Sequence, residues 1–99
     1  MPSFDEIVDD LVQRHPHVAR RKMWGMPSFT ANGKAAGGLW NDDMVFKLAD
    51  AEARERALAL PGAHRFAPMP GREMKEWVVV PQAQSEHWPE LAETAVARE

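Results

Sequence analysis

Apolar residues near the start of the chain fall at Phe4, Ile7, Val8, Leu11 and Val12, the i, i+3, i+4, i+7, i+8 stripe of a helix lying on a core. Its beginning is signed by Ser3-Phe4-Asp5-Glu6, the S-x-x-E spacing of a capping box, in which the Ser3 oxygen accepts from the third helical N–H and Glu6 reaches back. Asp5 and Glu6 also sit where the helix dipole is positive. Pro16 ends the helix near Arg14, because the residue before a proline avoids the helical region. A basic link, His15–Lys22, follows, and then the period changes.

From Lys22 to Leu48 the pattern is that of three strands joined by two tight turns. The first spans about 23–30; Pro27 within it lacks a ladder donor, which predicts an edge strand or a bulged one. Asn32-Gly33 is the strongest short hairpin signal, since both residues tolerate the positive φ of a type I′ turn. The second strand spans 34–40, Asn41-Asp42-Asp43 turns the chain, and the third spans 44–48. In that third strand Met44, Phe46 and Leu48 share one face, and Val45 and Lys47 the other. Gly37-Gly38 in mid-strand marks a bulge or a close backbone approach, with Trp24, Trp40 and Trp77 as candidates for the bulky neighbour.

The second half carries a helix from an Asp50 cap to about Leu60, with Ala53, Ala57, Leu58 and Leu60 inward and Pro61-Gly62 as the stop. A short strand over 64–67, a loop over 68–72 and a strand over 74–80 come next. The Trp77-Val78-Val79-Val80 run is apolar on both faces, as a central strand requires. The last helix starts near Ser85, which reads as its cap, and runs to about Arg98 with Trp88, Leu91, Ala92, Ala95 and Val96 inward; Pro89 lies harmlessly in its first turn. The predicted fold is α+β, a single domain of order α-β-β-β-α-β-β-α, with an antiparallel sheet covered by helices.

Length and composition narrow this little further. Ninety-nine residues make one domain with one core. Mean hydropathy is −0.47, no apolar run reaches the roughly 20 residues of a membrane helix, and the start is acidic where a signal peptide is basic. A cytoplasmic, non-membrane protein is expected. The absence of cysteine removes disulfides, thiolate metal sites and a cysteine nucleophile. The net charge of −3 is unevenly spread: residues 1–13 carry −4, residues 14–47 carry +4 and residues 48–99 carry −3. Overall acidity opposes bulk nucleic-acid affinity while leaving room for a local basic patch.

Chemistry-bearing patterns are sparse. His15-Pro16-His17 has H-x-H spacing, but a metal site needs a third ligand, and exposed linker histidines are the plainer reading. Ser28 lacks a nucleophile elbow, and neither Gly37-Gly38 nor Gly71-Arg72 belongs to a phosphate-loop motif. No catalytic residue, metal ligand or cofactor is therefore assigned. The candidate binding residues are basic: Arg20, Arg21, Lys22, Lys34 and Lys47 in the central stretch, and Arg72 and Lys75 in the 69–75 loop. The first group would either grip phosphates or pair with the acidic first helix. The second sits in a rigid turn of the kind on which binding sites concentrate.

Lys22-Met23-Trp24-Gly25, the F-x-x-x-G-K-x-x-x-G-L phrase over 29–39, Val45-Phe46-Lys47-Leu48, the 68–81 segment with Met74, Trp77 and Pro81, and Trp88-Pro89-Glu90-Leu91 form an ordered set. Together they resemble the TfoX/Sxy N-terminal domain family over nearly the whole chain. Trp24-Gly25-Met26-Pro27 is also similar, more distantly, to the MmcQ/YjbR-like proteins. The resemblance implies an α+β fold of the secretion-chaperone type. Full-length TfoX/Sxy proteins are bacterial regulators of competence genes with a second, C-terminal domain, and this chain spans the first only. The family has no established catalytic motif. The resemblance thus implies a non-enzymatic regulatory or protein-interaction domain whose partner is a protein, the transcription machinery included. The alternatives are a nucleic-acid-binding module using residues 14–47 and a small-ligand domain with its site near the 69–75 loop. A homodimer through a sheet edge is a further expectation.

Overall fold

The computed structural model describes residues 3–23, 25–69 and 71–97. Helix α1 (Phe4–Arg14) leads into four consecutive strands, β1 (Val18–Met23), β2 (Met26–Ala31), β3 (Lys34–Trp40) and β4 (Asp43–Lys47). Helix α2 (Ala51–Leu58), strands β5 (His64–Met69) and β6 (Arg72–Val80), a 3-10 turn (Gln82–His87) and helix α3 (Trp88–Val96) complete the order. The six strands form one antiparallel sheet in the order β1-β2-β3-β4-β6-β5. The α+β class holds. No helix among the described residues is long and apolar enough to cross a membrane.

Local sequence accounts for most of the elements. Ser3 Oγ accepts from the Glu6 amide and Glu6 returns the bond to the Ser3 amide, so the capping box is formed. Asn32 and Gly33 have φ of 54° and 78°, and Asn41 and Asp42 have 49° and 71°, so both turns are two-residue I′-like connections. Asp43, expected within the second turn, instead pairs with Trp40 as the first residue of β4.

Several expectations are corrected. The first strand is two: β1 occupies most of the basic link, and β2 begins at Met26. β1 hides from pattern reading because Arg20, Arg21 and Lys22 are all charged, so neither of its faces shows an apolar alternation there. Its helix-side face is completed by ion pairs to α1 rather than by apolar side chains. Pro27 therefore lies in an inner strand. It is tolerated because the β2–β3 pairing stops at Ser28↔Gly38, and on the other side it faces Lys22. The bulge that was the alternative to an edge does exist, between Phe29 and Thr30.

Among the described residues, the atoms nearest to Gly37-Gly38 do not belong to tryptophans. A Cβ on Gly37 would lie 2.6 Å from Phe29 Cζ and 2.6 Å from the Val45 carbonyl; one on Gly38 would lie 2.8 Å from Met26 Cε and 2.8 Å from the Pro27 carbonyl. Trp24 lies outside the described residues. The expected 68–72 loop is the tip of the β5–β6 hairpin, with Met69 paired to Arg72. Val12 is 39% exposed, turned away from the stripe formed by Phe4, Ile7, Val8 and Leu11. Ser85 sits inside the 3-10 turn and is buried, so α3 begins at Trp88, with Pro89 in its first turn as expected. Helix α2 ends two residues early, at Leu58, and the position of Arg98 lies outside the described residues.

The sheet is apolar on both sides. All three helices contribute to the larger core, where Val8, Leu11, Phe29, Phe46, Val78, Val80, Trp88 and Ala92 meet. The Trp88 indole N–H donates to the Val80 carbonyl, which fixes α3 against β6. The opposite face holds a second cluster, Met26, Val45, Phe66, Trp77 and Val79, with no helix residue in it. It closes because β5 is bulged twice around Phe66, and the bend carries that ring onto Trp40 (5.3 Å, edge-on) and Trp77 (6.3 Å). Strand β6 serves both clusters through alternate residues, Trp77 and Val79 to one, Val78 and Val80 to the other.

Candidate functional site

Position along β1 decides what the basic run can do. Val18 is buried in the helix-side core, so alternation puts Arg20 and Lys22 on that face and Arg21 on the other. Arg20 is committed. Its guanidinium lies 2.6 Å from Asp9 and 3.2 Å from Asp5, and it also donates to the Asp5 carbonyl. The hydrogen bond from Arg20 to Asp9, ahead of the cost of burial, holds the guanidinium above its ordinary range. Arg21 and Lys22 are exposed, and among the described residues neither forms an ion pair.

The backbone of β1 is open on its outer side. Met23↔Met26 closes a two-residue connection and exchanges hydrogen bonds; the pairs then alternate, so Arg21↔Ser28 and Ala19↔Thr30 bond inward. The N–H and C=O groups of Arg20 and Lys22 therefore point away from the sheet. No backbone partner meets them among the described residues. Strand β5, at the other edge, differs: it carries two register shifts and Pro68, the usual devices that spoil an edge for pairing.

Lys34 and Lys47 lie elsewhere. They line a cleft of about 600 Å³ at the end of the sheet where β3 begins and β4 ends, closed by the start of α2 and the end of α3. Arg56 joins them on the rim. Sequence reading missed Arg56, although its place three residues after the inward Ala53 puts it near the same helix face. Lys75 is exposed on β6, and the Arg72 side chain lies outside the described residues. The basic candidates whose side chains are described are thus divided among the β1 edge (Arg20, Arg21, Lys22), the cleft (Lys34, Lys47) and strand β6 (Lys75).

A tie between the chain's outer helices also escaped the sequence. Arg14 bonds Asp10 at 2.6 Å within α1 and reaches Glu93 of α3. His15 Nε2 lies 3.1 Å from Glu93, and His17 Nε2 lies 2.8 Å from the Val96 carbonyl. Partial burial pushes the Glu93 carboxyl up, but the hydrogen bonds and charges of Arg14 and His15 outweigh it and leave it below the usual range. H-x-H spacing is thus used for docking α3. Among the described residues no group of three or more His, Asp or Glu is arranged to hold a metal ion.

No family model matches the chain, and neither the curated proteins nor the solved structures include a match.

Proposed function

We propose that this chain is a non-enzymatic, regulatory protein-interaction domain of the TfoX/Sxy type, which takes an extended acidic segment of a partner protein as a seventh strand along β1. The open, regular β1 edge beside Arg21 and Lys22 carries this reading. Strand addition uses outward backbone groups for affinity and flanking side chains for selectivity. Self-pairing is the weaker use of the same edge. An antiparallel copy centred on Arg21 would set Arg21 opposite Arg21 and Arg20 opposite Lys22, and like charges across a ladder destabilise it. An acidic strand relieves that conflict. A chain without cysteine needs no oxidising compartment, which fits an encounter in the cytoplasm.

The test uses the outward geometry. Lys22→Pro removes an N–H that points away from β2, so the β1–β2 ladder keeps its bonds. Wild-type and variant protein are used as bait in a native extract, and an alternating Asp/Val peptide serves as a defined probe in amide-exchange measurements. The expected result is retention of a protein by wild type alone, with the Arg20 and Lys22 amides protected by the peptide. Equal retention by Lys22→Pro, or none above background, ends the reading.

A further inference from the structure

Resting on strand capture at β1, we infer that the captured segment is amphipathic and held in one register, with its acids facing Arg21 on the helix-free side and its apolar residues under helix α1 beside Val12. A strand added to β1 continues its alternation. Residues opposite Arg20 and Lys22 then take the helix side, and the residue opposite Arg21 takes the other. The two sides of this edge differ in charge. On the helix-free side it has a single sign: Arg21 is exposed and has no ion-pair partner among the described residues. Its sheet neighbours are uncharged, with Ser28 opposite, Thr30 on the diagonal and Ala19 two residues before it. Arg21 bonds inward to Ser28, so toward an antiparallel newcomer it forms a non-hydrogen-bonded pair, the kind in which facing side chains come closest. An Asp or Glu at that place reaches the guanidinium.

On the helix side the overhanging element is α1. It packs on β1, whereas α3 packs on β3 and β4. One flank of α1 meets α3 through Arg14 and Glu93. The opposite flank therefore projects past the open edge. It carries Asp5 and Asp9, which hold Arg20 at 3.2 and 2.6 Å. Val12 follows Asp9 by three residues and so stands on the same flank. It is the one large apolar side chain exposed among the described residues. The chain reverses between Arg14 and Val18, which sets Val12 toward the Val18 end of β1 and Lys22 toward the other. Around Arg20 two carboxylates answer one guanidinium, and the surplus is negative. A partner's acid placed there meets like charge, whereas an apolar residue meets Val12. A slip of one residue would exchange the faces, setting acids against Asp5 and Asp9 and apolar side chains against Arg21. One register is thereby selected, and Arg21 and Val12 determine it.

The probes are synthetic peptides of equal length: Asp alternating with Val, Asp alternating with Thr, and the Asp/Val composition rearranged in like pairs. Binding to the full chain is followed by protection of the Arg20 and Lys22 amides. The expected result is tightest binding of the alternating Asp/Val peptide, by about fivefold or more over Asp/Thr and by about tenfold or more over the rearranged peptide. Arg21→Gln weakens Asp/Val binding by about threefold or more, and Arg21→Glu moves the preference to a Lys/Val alternating peptide. Val12→Ser, a surface change of small effect on the fold, brings the Asp/Val and Asp/Thr affinities to within about twofold of each other. Equal protection by all the peptides overturns the register and leaves strand capture standing. An unchanged Asp/Val-to-Asp/Thr ratio in Val12→Ser, or undiminished binding in Arg21→Gln, does the same. Protection by none of the peptides overturns strand capture itself, and the register with it.

Discussion

A single missing side chain shapes the middle of this sheet. Gly37 sits between the Phe29 ring and the Val45 carbonyl, and any Cβ there would enter both. The ring could turn; the carbonyl belongs to the β3–β4 ladder and cannot. Gly37→Ala is therefore expected to cost about 2–3 kcal/mol, the range of core overpacking. In a domain of this size that lowers Tm by roughly 10 °C or more in thermal melts. An unchanged Tm would mean that the strand shifts freely. The sequence showed that space was needed here, since glycine in mid-strand has few other uses, but it named tryptophans as the cause. The nearest described side chains are Phe29 and Met26 of β2, Phe29 being the residue paired with Gly37 just before the bulge. Bulges depend on pairing, and pairing is not written at one position. Among the binding candidates, Arg20 and Arg21 are adjacent and chemically identical, yet alternation gives one to α1 and leaves the other free.

Elements were legible where one period ran unbroken. Helix α1, the Asn32-Gly33 turn, β4 and β6 follow directly from capping, turn chemistry and alternation. β1 was not legible, because a strand whose helix-side face ends in an ion pair carries no apolar signature. The open edge, the main candidate for function, was hidden with it. The cleft was half legible: Lys34 and Lys47 were named, but that both line it depends on the β3–β4 register, and Arg56 on how α2 packs. The α1–α3 tie has a signature in pH. Glu93 is held below the usual carboxylate range, so it stabilises the fold above the unfolded-state value and loses that contribution as pH falls through the folded one. Wild type should lose stability between about pH 5 and pH 3, and Glu93→Gln should lose less over the same interval. Parallel Tm profiles for the two proteins would count against the tie.

At the scale of the whole molecule, charge and packing divide the surface. The acidic helix α1 neutralises one side of the basic run, and the other side is left to the sheet edge and the cleft. Strand β6 joins the two apolar clusters through adjacent residues, so neither face of the sheet can loosen alone. The contact between α1 and α3 has a consequence in time. Arg14 and Glu93 are 79 residues apart, whereas β1–β2, β2–β3 and β3–β4 are each joined by a short turn. Closing so long a loop costs entropy before any contact rewards it, and strands paired by hairpins meet first. The helical seam then forms after the rate-limiting step. Leu11→Ala at that seam should mainly speed unfolding in a denaturant chevron, while Val45→Ala in the hairpin-built sheet should slow folding. The chain would thus have its open β1 edge assembled before its first and last helices have met.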